Sequence, residues 1–191
     1  IKNQKVEIKV RKEKQMNIQL IFSGELSFSL QQLFNNIGDR AVIDHIGYKC
    51  SSNSEYKKMK NLFMSVHQKY AVWAHEAYIS KRRITYVRLK IPFSIDTDHG
   101  KQEISYLEIQ DQKHNGSQIS GIDHIEILPK EKVTQDLLIE ELRLFQYDVK
   151  LGGKEHHITY DFEIPYLSSK KLLVKIPKEP LVEKIKRDEM R

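Results

Sequence analysis

The chain has 191 residues, 39% apolar and 30% charged, with a net charge of +6 carried mainly by lysine. This is a globular balance, enough for one sizeable domain or two small units sharing a core, and no apolar run nears the roughly twenty residues of a membrane-spanning helix. The single cysteine, Cys50, excludes an internal disulfide and a thiolate zinc cluster and points to a reducing compartment. With neither an aromatic-basic RNA-binding pattern nor zinc-finger spacing, nucleic-acid binding has only charge behind it and ranks last.

Residues 1–16 read as a basic arm, too polar for the apolar part of a secretory signal. A start at Ile1 fits removal of an organellar transit peptide as well as an arbitrary boundary, so the expected location is intracellular, in the cytoplasm or the mitochondrial matrix. Residues 17–40 form a helical segment, with Leu20, Ile21, Leu26, Leu30, Leu33 and Phe34 at three-and-four spacing and a stop at Gly38. AVIDHIGYKC, 41–50, is a strand. SSNSEYKKMKNLFMSVHQKY, 51–70, is a helix opened by a Ser or Asn cap, with Tyr56, Met59, Leu62, Phe63 and Val66 on one face and Lys57, Lys58 and Lys60 on a solvated one. AVWAHEAYI, ITYVRLKIPF and EISYLEIQ follow as strands, separated by a turn at SKRR and a polar loop IDTDHGKQ.

The second half repeats the order. GIDHIEILP is a strand, EKVTQDLLIEELRLFQY a helix striped with Val133, Leu137, Leu138 and Leu142, and YDVKLG, HHITYDFEIPY and KKLLVKIP are strands. Two βαβββ units therefore span 41–110 and 121–178, and a short basic helix closes the chain over 179–191. The phrase IDHI opens both units in the same phase. Alternation puts Ile43, His45 and Gly47 on one face of the first strand and groups His124 with Ile122 and Glu126 on the second, with Asp44 and Asp123 turned away. Two equivalent histidines in two equivalent units imply one shared site on a pseudo-twofold axis.

A tandem βαβββ pair with a first-strand histidine in each unit resembles the vicinal oxygen chelate superfamily of glyoxalases and extradiol dioxygenases, and within it the YecM-like proteins. The residues that carry the resemblance are DHIGYKC at 44–50, SKRRITYVRLKIP at 80–92 and YLEIQDQKHNGSQISGIDHIEILP at 106–129. It implies an α+β fold in which the two units form a cup-shaped mixed sheet with outer helices, and a divalent metal held by the first and fourth strands of each unit. The implied ligands fall on His45, Glu108 and His124, a set that suits Zn, Ni, Mn or Fe. The fourth ligand is missing: the last strand offers neither His nor Glu near Lys175 or Ile176, and Glu163, His156 and His157 are the nearby substitutes.

Two functions follow. The first is a divalent-metal-binding protein, an isomerase, lyase or dioxygenase acting on a small oxygen-chelating substrate, with Glu126 as the candidate to move a proton. The second is a non-catalytic accessory subunit of a larger, mitochondrial assembly, docking through its basic termini. Several other residues have a plainer reading: His67, His75, His99 and His114 as surface or loop residues, Trp73 and Tyr78 as core aromatics, and Arg82 and Arg83 as solvated turn residues beside Arg88.

Overall fold

A computed structural model describes residues 24–64, 70–79, 81–154, 157–168 and 170–189. The basic arm, residues 17–23, His67 and His156 lie outside them. Helix α1 (Gly24–Ile37) leads into β1 (Ala41–Lys49), α2 (Asn53–Met64), β2 (Ala71–Ile79), β3 (Arg82–Thr97) and β4 (Gly100–Gln110). The second half follows as β5 (Gly121–Pro129), α3 (Gln135–Leu144), β6 (Lys150–Lys154), β7 (His157–Tyr166) and β8 (Lys170–Pro177), closed by α4 (Leu181–Glu189).

The eight strands among the described residues form one open sheet in the order β2-β3-β4-β1-β5-β8-β7-β6. Each half contributes four neighbouring strands, and the halves meet where β1 runs antiparallel to β5. The other joins repeat across that seam. β1 pairs parallel with β4 as β5 does with β8, while β3–β4 and β7–β8 are antiparallel. This is the mixed α+β sheet expected from the repeated βαβββ order.

One face of the sheet carries the main core. Leu26, Leu30, Leu33, Phe34 and Ile37 of α1 are all buried, at the three-and-four spacing that makes a single apolar stripe. α1 lies against β3 and β7, which are equivalent strands of the two halves. It stops at Gly38, whose φ of 64° is the left-handed conformation that a glycine adopts most readily after a helix. α2 adds Tyr56, Met59, Leu62 and Phe63, and α3 adds Leu138, Ile139 and Leu142. Thr134 caps α3 by accepting from the Leu137 N–H, and Ser52 caps α2 by accepting from that of Glu55.

Glu55 ties the halves together. Its carboxylate accepts from the Ser51 N–H (2.8 Å), Tyr48 Oη (2.9 Å) and Ser120 Oγ (2.5 Å), joining α2 to β1 and to the approach to β5. Partial burial pushes the carboxyl up, but these donors outweigh it and hold it below its usual value. A depressed carboxylate stabilises the fold above its unfolded pKa, and that stabilisation is lost as pH falls through the folded one. Glu55→Gln is therefore expected to cost about 1 kcal/mol at neutral pH, discounted for solvent screening, and to flatten the acid limb below about pH 4.5. Urea titrations across pH check this. An acid limb as steep as the wild type's would assign the loss to other carboxylates.

Several local expectations are corrected. The IDTDHGKQ segment is a tight turn, since β3 runs to Thr97 and β4 starts at Gly100. Arg82 and Arg83 open β3 and are not left to solvent. Arg83 makes two bonds to Asp111 Oδ2 and lies over the Tyr56 ring, and Arg82 donates to Gln110 and Gln118. Lys60 is paired with Glu76. Tyr78 is exposed rather than core. Cys50 is fully buried just after β1, and burial, with Glu55 and Asp111 nearby, pushes its thiol up to about 12, so it is chemically quiet.

The helices are not all on the outer face. Leu181 and Ile185 of α4 are buried against Ile84 and Tyr86, with Trp73, Ala77, Ile79 and Tyr106 packed around them. Their neighbours Thr85, Val87, Leu107 and Ile109 point the other way, into the helix-covered side. The C-terminal basic helix thus uses its apolar side within this chain, on the inner face.

Candidate metal centre

The two IDHI segments meet at the seam, where strict alternation breaks twice. In β1, Ile43 pairs with Ile127 but His45 with Glu126, which leaves Asp44 as an extra residue. In β5, Gly47 pairs with His124 but Tyr48 with Ile122, which leaves Asp123 extra. Each is a bulge at the aspartate preceding the histidine. In consequence Ile43 and Ile46, three apart, both enter the main core, while His45 between them turns to the inner face. Ile122 and Ile125 flank His124 in the same way.

The bulges overturn the expectation that Asp44 and Asp123 face away. Asp44 Oδ2 accepts from His45 Nδ1 at 2.8 Å, and Asp123 Oδ2 accepts from His124 Nδ1 at 3.0 Å. A carboxylate can only accept, so each Nδ1 carries a proton, and in the neutral ring each Nε2 is left with its lone pair. Asp44 also accepts from the Leu181 N–H at 3.0 Å, anchoring the start of α4, and Asp123 takes a second bond from Lys49. Burial would raise the Asp123 carboxyl, but His124 and Lys49 hold it well below the carboxylate range.

The predicted residues come together on the inner face. His45 and His124 stand edge to face with ring centroids 5.7 Å apart. His45 Nε2 is 3.9 Å from Glu108 Oε2, and His124 Nε2 is 3.6 Å from Glu126 Oε1, whose second oxygen is 3.9 Å from His45 Nδ1. Ligand-type atoms of His45, His124 and Glu126 all lie within 4.8 Å of one another. The four residues are at most 5% exposed. Neither Nε2 has a hydrogen-bond partner among the described residues. Burial disfavours charge on His45, yet Glu126, Asp44 and Glu108 outweigh it and hold the imidazole's proton to higher pH than usual.

Glu108 is fixed from behind. Gln110 Nε2 donates to Glu108 Oε1 at 2.6 Å, and Arg82 Nη2 donates to Gln110 Oε1 at 2.6 Å. Burial would raise the Glu108 carboxyl, but His124, Lys184 of α4 and His45 overcome it and keep it low. The fourth-ligand position is also defined by register. Gly47 pairs with Glu108 across β1–β4, and its counterpart Glu126 pairs with Lys175 across β5–β8. Lys175 therefore stands where the duplication would repeat Glu108. Glu163 is no substitute, being half exposed and paired with Lys171.

Sequence reasoning passed over three contributors: Asp44, Asp123 and the Leu181 N–H. The signal for the first two was in view, since an aspartate precedes the histidine in both repeats. No signal pointed to Leu181, which reaches the site only through the return of α4.

Two βαβββ units sharing one sheet, with a histidine from each central strand facing across the seam, define the vicinal oxygen chelate fold. The chain belongs to the YecM protein family, whose profile matches residues 15–178. No curated protein matches it. Among solved structures, one described as a structural-genomics target, Protein EC4020, is 18% identical over 84% of this chain and 86% of that one, with a TM-score of 0.56. A methylmalonyl-CoA epimerase is 14% identical over 74% of this chain and 98% of that one, with a TM-score of 0.42. An Mn(II)-bound glyoxalase from Novosphingobium aromaticivorans is 12% identical over 72% of this chain and 39% of that one, with a TM-score of 0.39. The likeness to the first of these is one of fold. Among the described residues no helix is long and apolar enough to cross a membrane.

Proposed function

We propose that this chain is a divalent-metal-binding protein that holds one ion through His45, Glu108, His124 and Glu126 and acts on a small oxygen-chelating substrate. The observation that carries the reading is the pair of buried Nε2 atoms without hydrogen-bond partners among the described residues, each with its Nδ1 held by an aspartate and with a glutamate oxygen just beyond hydrogen-bond reach. Left unsatisfied, such a buried atom costs about 1–3 kcal/mol, and two of them among carboxylates make a setting that a cation relieves. Two imidazoles and two carboxylates suit Zn, Mn, Fe or Ni. We place Glu126 among the ligands rather than in the proton-transfer role that its strand face suggested.

A bound ion would supply Lewis-acid polarisation of a substrate oxygen. The chain's own residues do the rest. Asp44 and Asp123 fix the tautomer and aim of the imidazoles, and Arg82 through Gln110 aims Glu108. Leu181 and Ile185 pack α4 on the inner face beside the site, and the Leu181 N–H ties its start to Asp44.

A non-catalytic accessory subunit is the second reading, favoured by Lys175 at the fourth-ligand position. Metal analysis decides between them, on wild type and His45→Ala/His124→Ala purified without chelators. The expected result is about one transition-metal ion per chain in the wild type, as in a single mononuclear site, and none in the double variant. A wild type that stays metal-free when offered Zn, Mn, Fe and Ni in turn would sink the metal reading and favour the subunit.

A further inference from the structure

Between α4 and the first half of the inner face lies a cavity of about 290 Å³, lined by Trp73, Arg88, Tyr106, Val182, Ile185 and Lys186. Three of these form one row across adjacent strands, since Trp73 pairs with Arg88 and Arg88 with Tyr106. The guanidinium thus rises between two aromatic side chains, and Val182 and Ile185 of α4 supply an apolar wall. Trp73 is stacked on His75, with centroids 5.9 Å apart and planes 10° apart, which sets the plane of its ring. Arg40, Arg82 and Arg83 are engaged by Glu141, by Gln110 and Gln118, and by Asp111. Lys186 is bonded to Glu183 at 2.8 Å. Arg88 has no ion-pair partner among the described residues.

We propose that this cavity is a binding site for a small carboxylate carried on a flat apolar ring. A guanidinium offers two parallel N–H groups that match a carboxylate, and the flanking aromatic and aliphatic walls accept a ring that a hydrated simple anion lacks. The volume is near the lower end for small-molecule sites, which fits a one-ring ligand rather than a nucleotide. The row lies one pleat from the metal cluster, because Tyr106 precedes Glu108 by two residues on β4, roughly 7 Å along the strand. The inference rests on this lining and not on the metal reading.

Trp73 is the only tryptophan in the chain, so its intrinsic fluorescence reports on the cavity directly. The probe is benzoate, titrated into chelator-treated full-length protein, beside benzamide for charge and acetate for the ring. Saturable change with benzoate, weaker by about tenfold or more with benzamide and with acetate, is expected. Arg88→Gln, at an exposed position, should leave far-UV circular dichroism unchanged and weaken benzoate by a similar factor, and Arg88→Lys by less. Equal binding of benzamide, an unaffected Arg88→Gln, or no saturation would overturn the proposal. Binding seen only with zinc, and lost in His45→Ala/His124→Ala, would move benzoate onto the ion, overturning this site while supporting the metal reading.

Discussion

Gly47→Ala is expected to destabilise the protein by about 3 kcal/mol, the upper part of the range for overpacked cores, and to weaken metal binding by about 10–100-fold. A Cβ at position 47 would overlap His124 Cε1 and lie 2.7 Å from Nδ1 and 2.9 Å from Nε2. The imidazole cannot give way cheaply, because swinging it breaks the 3.0 Å bond to Asp123 and re-aims the lone pair that faces the cluster. The seam explains why a glycine stands there. Gly47 is the counterpart of Glu126, so one half places a carboxylate at this position and the other leaves room for the ring opposite. Chemical denaturation and calorimetric zinc titration measure the two effects. Wild-type values in both would mean that the ring is free to swing and that the close approach constrains nothing.

Lys175→Glu is expected to act in opposite directions on the two states. Without metal it adds a carboxylate to an inner face already holding Asp44, Glu108, Asp123 and Glu126, and should cost about 1–3 kcal/mol. With metal it repeats Glu108 in the second half and removes a cation from beside the site, and zinc affinity should rise by about 10–100-fold. Lys175→Met separates the contributions, since it removes the cation without adding a ligand and should give part of the gain. Thermal unfolding with and without zinc reads both states. An unchanged zinc response in Lys175→Glu would show that position 175 does not reach the cluster despite its register with Glu126.

Helices α1 and α2 were legible because each buries a single stripe, and three-and-four spacing survives whatever the stripe packs against, whereas α3 exposes Leu137, expected in its stripe, and buries Ile139 instead. That is why the leucines of α1 and the Tyr56–Phe63 face of α2 could be read directly. The strands were legible from β-branched content, but their faces were not. At Asp44 and Asp123 a one-residue bulge reverses the alternation, and the aspartates thought to face away hold the histidines in place. The polar segment at 95–102 misled for a related reason. Its charged side chains stand on an exposed strand end, where a ladder of backbone bonds, not side-chain polarity, decides the structure.

What the amino-acid order by itself determined is the repeated βαβββ frame, the position of a histidine in each first strand, and the absence of a carboxylate near Lys175. These are local properties, carried by periodicity and by the identical IDHI segments. Tertiary structure alone decided which atoms meet. Pairing β1 antiparallel to β5 brings residues nearly eighty positions apart into one cluster, and bulges set by that pairing choose the face of each side chain. The return of α4 to the inner face was equally invisible beforehand. Its apolar residues are too few to name their partner, and the surface that receives them exists only once β2, β3 and β4 have assembled.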